Sequence, residues 1–165
     1  MVSFEELYQT IAPKLANFLI AGGAGYAVAC DIVQETFMRL WKMRDELEDD
    51  EHQVSGLAYT IAKNIQLDRF RREKRLVLQP EITDEDAGSV TPEMFADERT
   101  AELRRRLTEA FAQLPPLLRE AYTLFQIMEL PIAEIARRTQ VSEANVKVRI
   151  FRAKEKLKPL LKDLL

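Results

Sequence analysis

Asn145, Lys147, Arg149 and Arg152 place one amide and three cations within eight positions. An amide can pair with adenine in the DNA major groove, and a guanidinium can fork onto guanine. Asn145 and Arg149 therefore read as base-contacting candidates, and Lys147 and Arg152 as phosphate contacts. The segment that must position them is Pro131–Leu157, PIAEIARRTQVSEANVKVRIFRAKEKL. Ile132, Ile135 and Ala136 predict a short helix that brings Arg137 and Arg138 to its end. Gln140-Val141-Ser142 interrupts it, and Ser142 suits the N-cap of the next helix. Val146, Ile150, Ala153 and Leu157, in steps of four, three and four, predict that helix's buried face. A basic second helix after a short turn has the form of a helix-turn-helix.

Two further groups stand out. Asp31, Gln34, Glu35 and Met38 recur at helical spacing on a predicted helix from Tyr26 to Arg44, opposite an apolar stripe of Val33, Phe37, Leu40 and Trp41. The segment from Ser55 to Arg75 ends in RFRREKR. Cations near a helix C-terminus complement its dipole, but five in seven residues exceed that need and predict a phosphate-binding surface. Ser55 is expected to cap this helix, and Leu57, Ile61, Ile65, Phe70 and either Leu67 or Asp68 to form its buried line.

Charge is distributed unevenly although the chain's net charge is only −3. Ser55–Arg75 has six basic residues against two acidic, a net +4; Pro131–Leu165 has nine against four, a net +5. Leu76–Thr100 has seven acidic residues and one arginine, a net −6. Two basic surfaces joined by an acidic connector suit a nucleic-acid partner better than the total implies.

The remaining chain supplies helices and breaks. Phe4–Ile20 predicts a helix kinked or split by Pro13. Three glycines between Gly22 and Gly25 end it. Asp45–Glu51 reads as an acidic loop. Pro80, Gly88 and Pro92 mark a linker over 76–96. A helix from Asp97 to about Gln113 is followed by Pro115 and Pro116, the latter suited to the first turn of the next helix. The fold class expected is all-α: two small helical domains, 1–75 and 97–165, joined by a flexible acidic linker.

Several function classes recede. The chain of 165 residues has one cysteine, Cys30, and one histidine, His52, which provide neither an internal disulfide nor a metal-ligand cluster. There is no glycine-rich phosphate loop and no nucleophile-base constellation, so an enzyme is not expected and no cofactor is implied. No apolar run approaches a membrane span, and Met1–Ile20 lacks the basic start and unbroken apolar core of a signal peptide.

Read together, the blocks resemble the extracytoplasmic-function (ECF) sigma factors, the two-domain bacterial transcription initiation factors of the sigma-70 family. FEELYQTIAPKLANFL is similar to the family's opening helix, and DIVQETFMRLW to its polymerase-docking segment. LAYTIAKNIQLDRFRREKR is similar to the minus-ten reader, and the run from Leu114 to Leu157 to the minus-thirty-five reader. The resemblance implies docking on core RNA polymerase through Asp31, Gln34, Glu35 and Met38. It implies minus-ten contacts from Tyr59, Lys63, Asn64, Arg71 and Arg72, with Tyr59 equally readable as core. Arg137, Arg138, Asn145, Lys147, Arg149 and Arg152 would meet minus-thirty-five promoter DNA. It further implies a cognate anti-sigma factor, a cytoplasmic location and a monomer when free. Gln140 stands where the family often has glycine, Pro131 where it has a serine cap, and Leu57 where tryptophan is common. The competing expectation is a stand-alone helix-turn-helix regulator with an N-terminal sensing or dimerisation domain. DIVQETF and the basic 55–75 segment argue against it, because a plain regulator needs neither.

Overall fold

The computed structural model describes residues 3–75 and 98–162. Among them are seven α-helices and one 3-10 turn: α1 Phe4–Ala21, α2 Tyr26–Lys42, the turn Arg44–Glu46, α3 Glu51–Arg75, α4 Glu98–Ala112, α5 Pro116–Gln126, α6 Ile132–Thr139 and α7 Glu143–Leu160. The predicted linker, 76–96, and Asp97 lie outside the described residues.

Local chemistry sets most boundaries. Ser3 and Glu6 form a reciprocal capping box at the start of α1, with backbone-to-side-chain distances of 3.0 and 3.1 Å. Gly22 caps the other end, and Gly23 turns the chain at φ 110°. Contrary to expectation, Pro13 neither splits nor ends α1; it sits inside the helix with its ring exposed. Helix α3 begins five residues earlier than predicted. Asp50 accepts from the backbone N–H of His52 at 2.9 Å, the bond an N-cap makes. Ser55 is instead buried inside the helix.

The core begins as two helical groups. In the first, α2 packs on α1 and α3; in the second, α5 and α6 pack on α7. These groups then close on one another, with α6 against α3 and both α4 and α5 against α1. One continuous cluster consequently joins Leu7, Leu15, Ile32 and Tyr59 to Leu124, Leu130, Ile135 and Val146. A smaller cluster joins Ala21 of α1 to Phe111 and Leu157. The sequence predicts two small helical bundles without fixing their arrangement; in the structure an apolar seam brings them together.

That seam explains the revised buried face of α3. Val54, Ala58, Tyr59, Ala62 and Ile65 are buried, Leu57 and Ile61 are half-buried, and Leu67 and Phe70 are exposed. At Gly56 a side chain would collide with the Glu134 carboxylate and stand 2.9 Å from Nε of Arg138, so glycine permits α6 to approach.

Candidate functional site

The four expected docking residues share one face of α2. Positions 31, 34, 35 and 38 follow the helical i, i+3, i+4, i+7 pattern. The opposite face buries Ile32, Val33, Thr36, Phe37 and Leu40. Asp31, Gln34 and Met38 are exposed and Glu35 is half-buried. Together they line an open groove with Arg39, Lys42 and Arg69. Arg69 of α3 approaches Asp31 at 3.9 Å, and Arg39 bonds Glu35 at 2.8 Å. Both ion pairs are substantially exposed, so an incoming cation can replace them at small cost. Trp41 is not part of the core stripe; it is 48% exposed, edge-on to Phe4, with the Arg44 guanidinium 3.9 Å above its ring.

Helix α3 divides the expected minus-ten residues. Asn64, Arg71 and Arg72 are exposed, and Arg71 has an ion pair with Asp68 at 3.6 Å. Tyr59, in contrast, is only 2% exposed. Its hydroxyl donates to the Glu120 carboxylate on α5, and the Lys63 ammonium engages the same oxygen. Burial first, and the Glu120 charge second, push the Tyr59 phenol far above its ordinary range. Tyr59 is thus a core residue in this arrangement, with no ring face open to a base.

The helix-turn-helix has the expected local structure. Gln140 adopts the left-handed conformation, φ 62°, ψ 40°, and its N–H returns to the Ala136 carbonyl. The Ser142 hydroxyl accepts from the Asn145 N–H at 3.1 Å. Val146, Ile150, Ala153 and Leu157 are all buried. Asn145, Lys147 and Arg152 are exposed, and Arg149 is half-buried. On α6 the two arginines differ. Arg137 points outward, whereas Arg138 is turned into the seam. Its Nε bonds buried Glu134 at 2.7 Å and its Nη2 lies 3.4 Å from the Gln53 carbonyl on α3. Arg138 therefore holds the two groups together here instead of supporting an outward cationic surface.

The seam residues Glu120, Glu134, Gln53, Lys14 and Glu129 have no place in the sequence reading. Lys14 of α1 bonds Glu129, beyond α5, at 2.7 Å. Glu129 also has φ 58°, so its backbone turns to present that carboxylate. Among these contacts only Gly56, a glycine inside a long helix, leaves a sequence signal of close approach.

The arrangement has recognisable relatives. Sigma-70 region 2 matches residues 5–76, and Sigma-70 region 4 matches residues 104–157. The ECF RNA polymerase sigma factor SigM of Bacillus subtilis (strain 168) is 31% identical over 160 residues, covering 96% of this chain and 95% of SigM. CarQ, an RNA polymerase sigma factor of Myxococcus xanthus, is 31% identical over 163 residues, covering 98% of this chain and 91% of CarQ. Two solved structures share the fold. The sigma factor RpoE bound to the anti-sigma factor NepR, from Bartonella quintana, has a TM-score of 0.68 at 23% identity and covers 96% of each chain. CnrH bound to the cytosolic domain of CnrY has a TM-score of 0.65 at 23% identity, covering 97% of this chain and 88% of that one.

The chain belongs to the ECF sigma factors of the sigma-70 family. It is a transcription initiation factor that directs RNA polymerase to promoters; the stand-alone regulator is not favoured. Among the described residues, no helix is long and apolar enough to cross a membrane.

Proposed function

We propose that the chain divides the work of promoter recognition between its two helical groups. The N-terminal group, 1–75, docks on core polymerase through Asp31, Gln34, Glu35 and Met38. It contacts minus-ten DNA through Asn64, Arg71 and Arg72, joined by Lys63 once Glu120 releases it. The C-terminal group, 97–165, inserts α7 into the major groove at the minus-thirty-five element. There Asn145 and Arg149 meet bases while Lys147, Arg152 and Arg137 hold phosphates. The polymerase supplies the chemistry, and the factor acts in the cytoplasm with no catalytic step of its own.

The observation that carries this reading is the docking face of α2. Two carboxylates, an amide and a methionine lie in register over a fully buried opposite side. Exposed, regularly spaced polar groups on a helix anchored this firmly suit a preformed contact with cations on another protein. A protein inhibitor belongs to the same reading, since one solved relative described above is bound to the anti-sigma factor NepR and the other to the cytosolic domain of CnrY.

The test is affinity for purified core polymerase. Asp31→Ala combined with Gln34→Ala should weaken binding by about 1.5–3 kcal/mol per lost charge-assisted contact. Stability should change by less than about 0.5 kcal/mol, because both side chains are exposed. Unchanged affinity with intact helicity would remove α2 from the interface.

A further inference from the structure

Helix α7 carries two apolar residues that the fold leaves uncovered. Val148 is 42% exposed and Phe151 63% exposed. They are neighbours at i and i+3, and neither belongs to a core cluster. At about 100° per residue, Val148 lies opposite the buried pair Val146 and Ile150, pointing directly away from the core. Ala144, exposed one turn earlier, continues the strip towards the helix N-terminus. Exposed cations and amides flank it: Asn145 and Arg152 on one side, Lys147 on the other. A β-branched residue gains nothing for an exposed helix by propensity, so the strip calls for a partner.

The charge pattern selects that partner. Flanking cations suit the two phosphate backbones that border a major groove, and the line between them faces the groove floor. The one apolar group on that floor is the C5-methyl of thymine. We infer that Val148 reads a thymine methyl in the minus-thirty-five element, with Phe151 excluding water behind the contact. This rests on α7 being the minus-thirty-five reader, and it adds an apolar determinant to the polar pair Asn145 and Arg149. Specificity at that position then depends on shape: cytosine lacks the methyl, and uracil differs from thymine only by its loss.

The experiment uses the full chain bound to core polymerase, which first selects promoter duplexes from a randomised pool. Each thymine of the enriched minus-thirty-five element is then replaced by deoxyuridine, one at a time. The wild-type holoenzyme should lose about fourfold in affinity at one position, the worth of one buried methyl-sized group. Val148→Ala should bind thymine and uracil equally at that position, while its salt dependence stays unchanged because no phosphate contact is lost. Val148 is exposed, so the variant should fold as the wild type does. An enriched element without thymine, no uracil penalty, or the same penalty in Val148→Ala overturns the inference and leaves α7's role intact. Failure to enrich any minus-thirty-five sequence overturns both. If Val148→Ala reduces self-association in sedimentation and leaves the uracil penalty in place, a second copy covers the strip and the inference is again overturned.

Discussion

The hydroxyl of Tyr59 on α3 donates to the carboxylate of Glu120 on α5, joining the two helical groups through a buried phenol. The same carboxylate receives the Lys63 ammonium. One acidic side chain thereby occupies two residues of the basic helix that the sequence assigns to promoter DNA. Glu120→Ala leaves the phenol without its acceptor and should destabilise the chain by about 1–3 kcal/mol in urea unfolding. Glu120→Gln should lose less, since the amide oxygen still accepts. A Glu120→Ala variant as stable as the wild type would mean that the bond is absent in solution.

The same pair sets an alkaline response. Burial and the Glu120 charge raise the Tyr59 phenol above its ordinary value of 10.0, and burial raises Tyr122 as well. Because the folded value exceeds the unfolded one, their contribution to stability is complete below pH 10 and declines as pH rises above it. An ultraviolet titration should therefore show these two tyrosines ionising late, and in denaturant the delay should vanish. Tyr59→Phe should remove one late ionisation. If its titration above pH 10 matches that of the wild type, Tyr59 is not the buried phenol.

Cutting the backbone between residues 78 and 91 tests the seam between the groups. Leu130 and Ile135 share a buried cluster with Tyr59 and Ile65, so separation would expose apolar surface on both sides. The fragments should co-elute in size-exclusion chromatography, and Glu120→Ala combined with Lys14→Ala should let them part. Immediate separation of the wild-type fragments would show the seam to be weak.

How far the sequence reveals this structure differs between its two ends. The buried face of α7 was legible because its partners, α5 and α6, are close in sequence and impose a regular helical period. The turn at Gln140 and the Ser142 cap were legible for the same local reason. The polar face of α2 was legible because its buried side alternates cleanly with it. Helix α3 ends at Arg75 as its sequence predicts, but its start and part of its buried line differ. Its true cap, Asp50, was hidden in a run of carboxylates, and part of its buried face meets α6, far along the chain. The partners of Tyr59, Lys63 and Arg138 were not legible either, because an isolated Glu120 or Glu134 on an amphipathic helix gives no sign of which surface it will meet.

Gln140 offers a stability prediction at the turn. A left-handed residue with a Cβ costs roughly 1–2 kcal/mol relative to its right-handed form. Gln140→Gly should therefore raise stability by up to about 1 kcal/mol and leave promoter affinity unchanged. A loss of stability would indicate that the glutamine side chain supports the turn in another way.

Arg149 and Lys147 should separate by the kind of contact they make. Arg149→Ala should cost about 1–3 kcal/mol and relax preference at one base position. Lys147→Ala should weaken all sequences alike and lower the salt slope by about one unit. Binding to a set of minus-thirty-five variants at several salt concentrations distinguishes the two. If Arg149→Ala weakens every sequence equally, its guanidinium meets backbone and Asn145 is left as the polar reader.

The most direct measurement is run-off transcription by purified core polymerase supplied with this chain and a pool of genomic promoter fragments. Discrete transcripts should arise from a small set of start sites that core polymerase alone does not use. The Asp31→Ala, Gln34→Ala chain should reduce all of them, whereas Arg149→Ala should redistribute them among promoters. Transcripts no different from those of core polymerase alone would contradict the account.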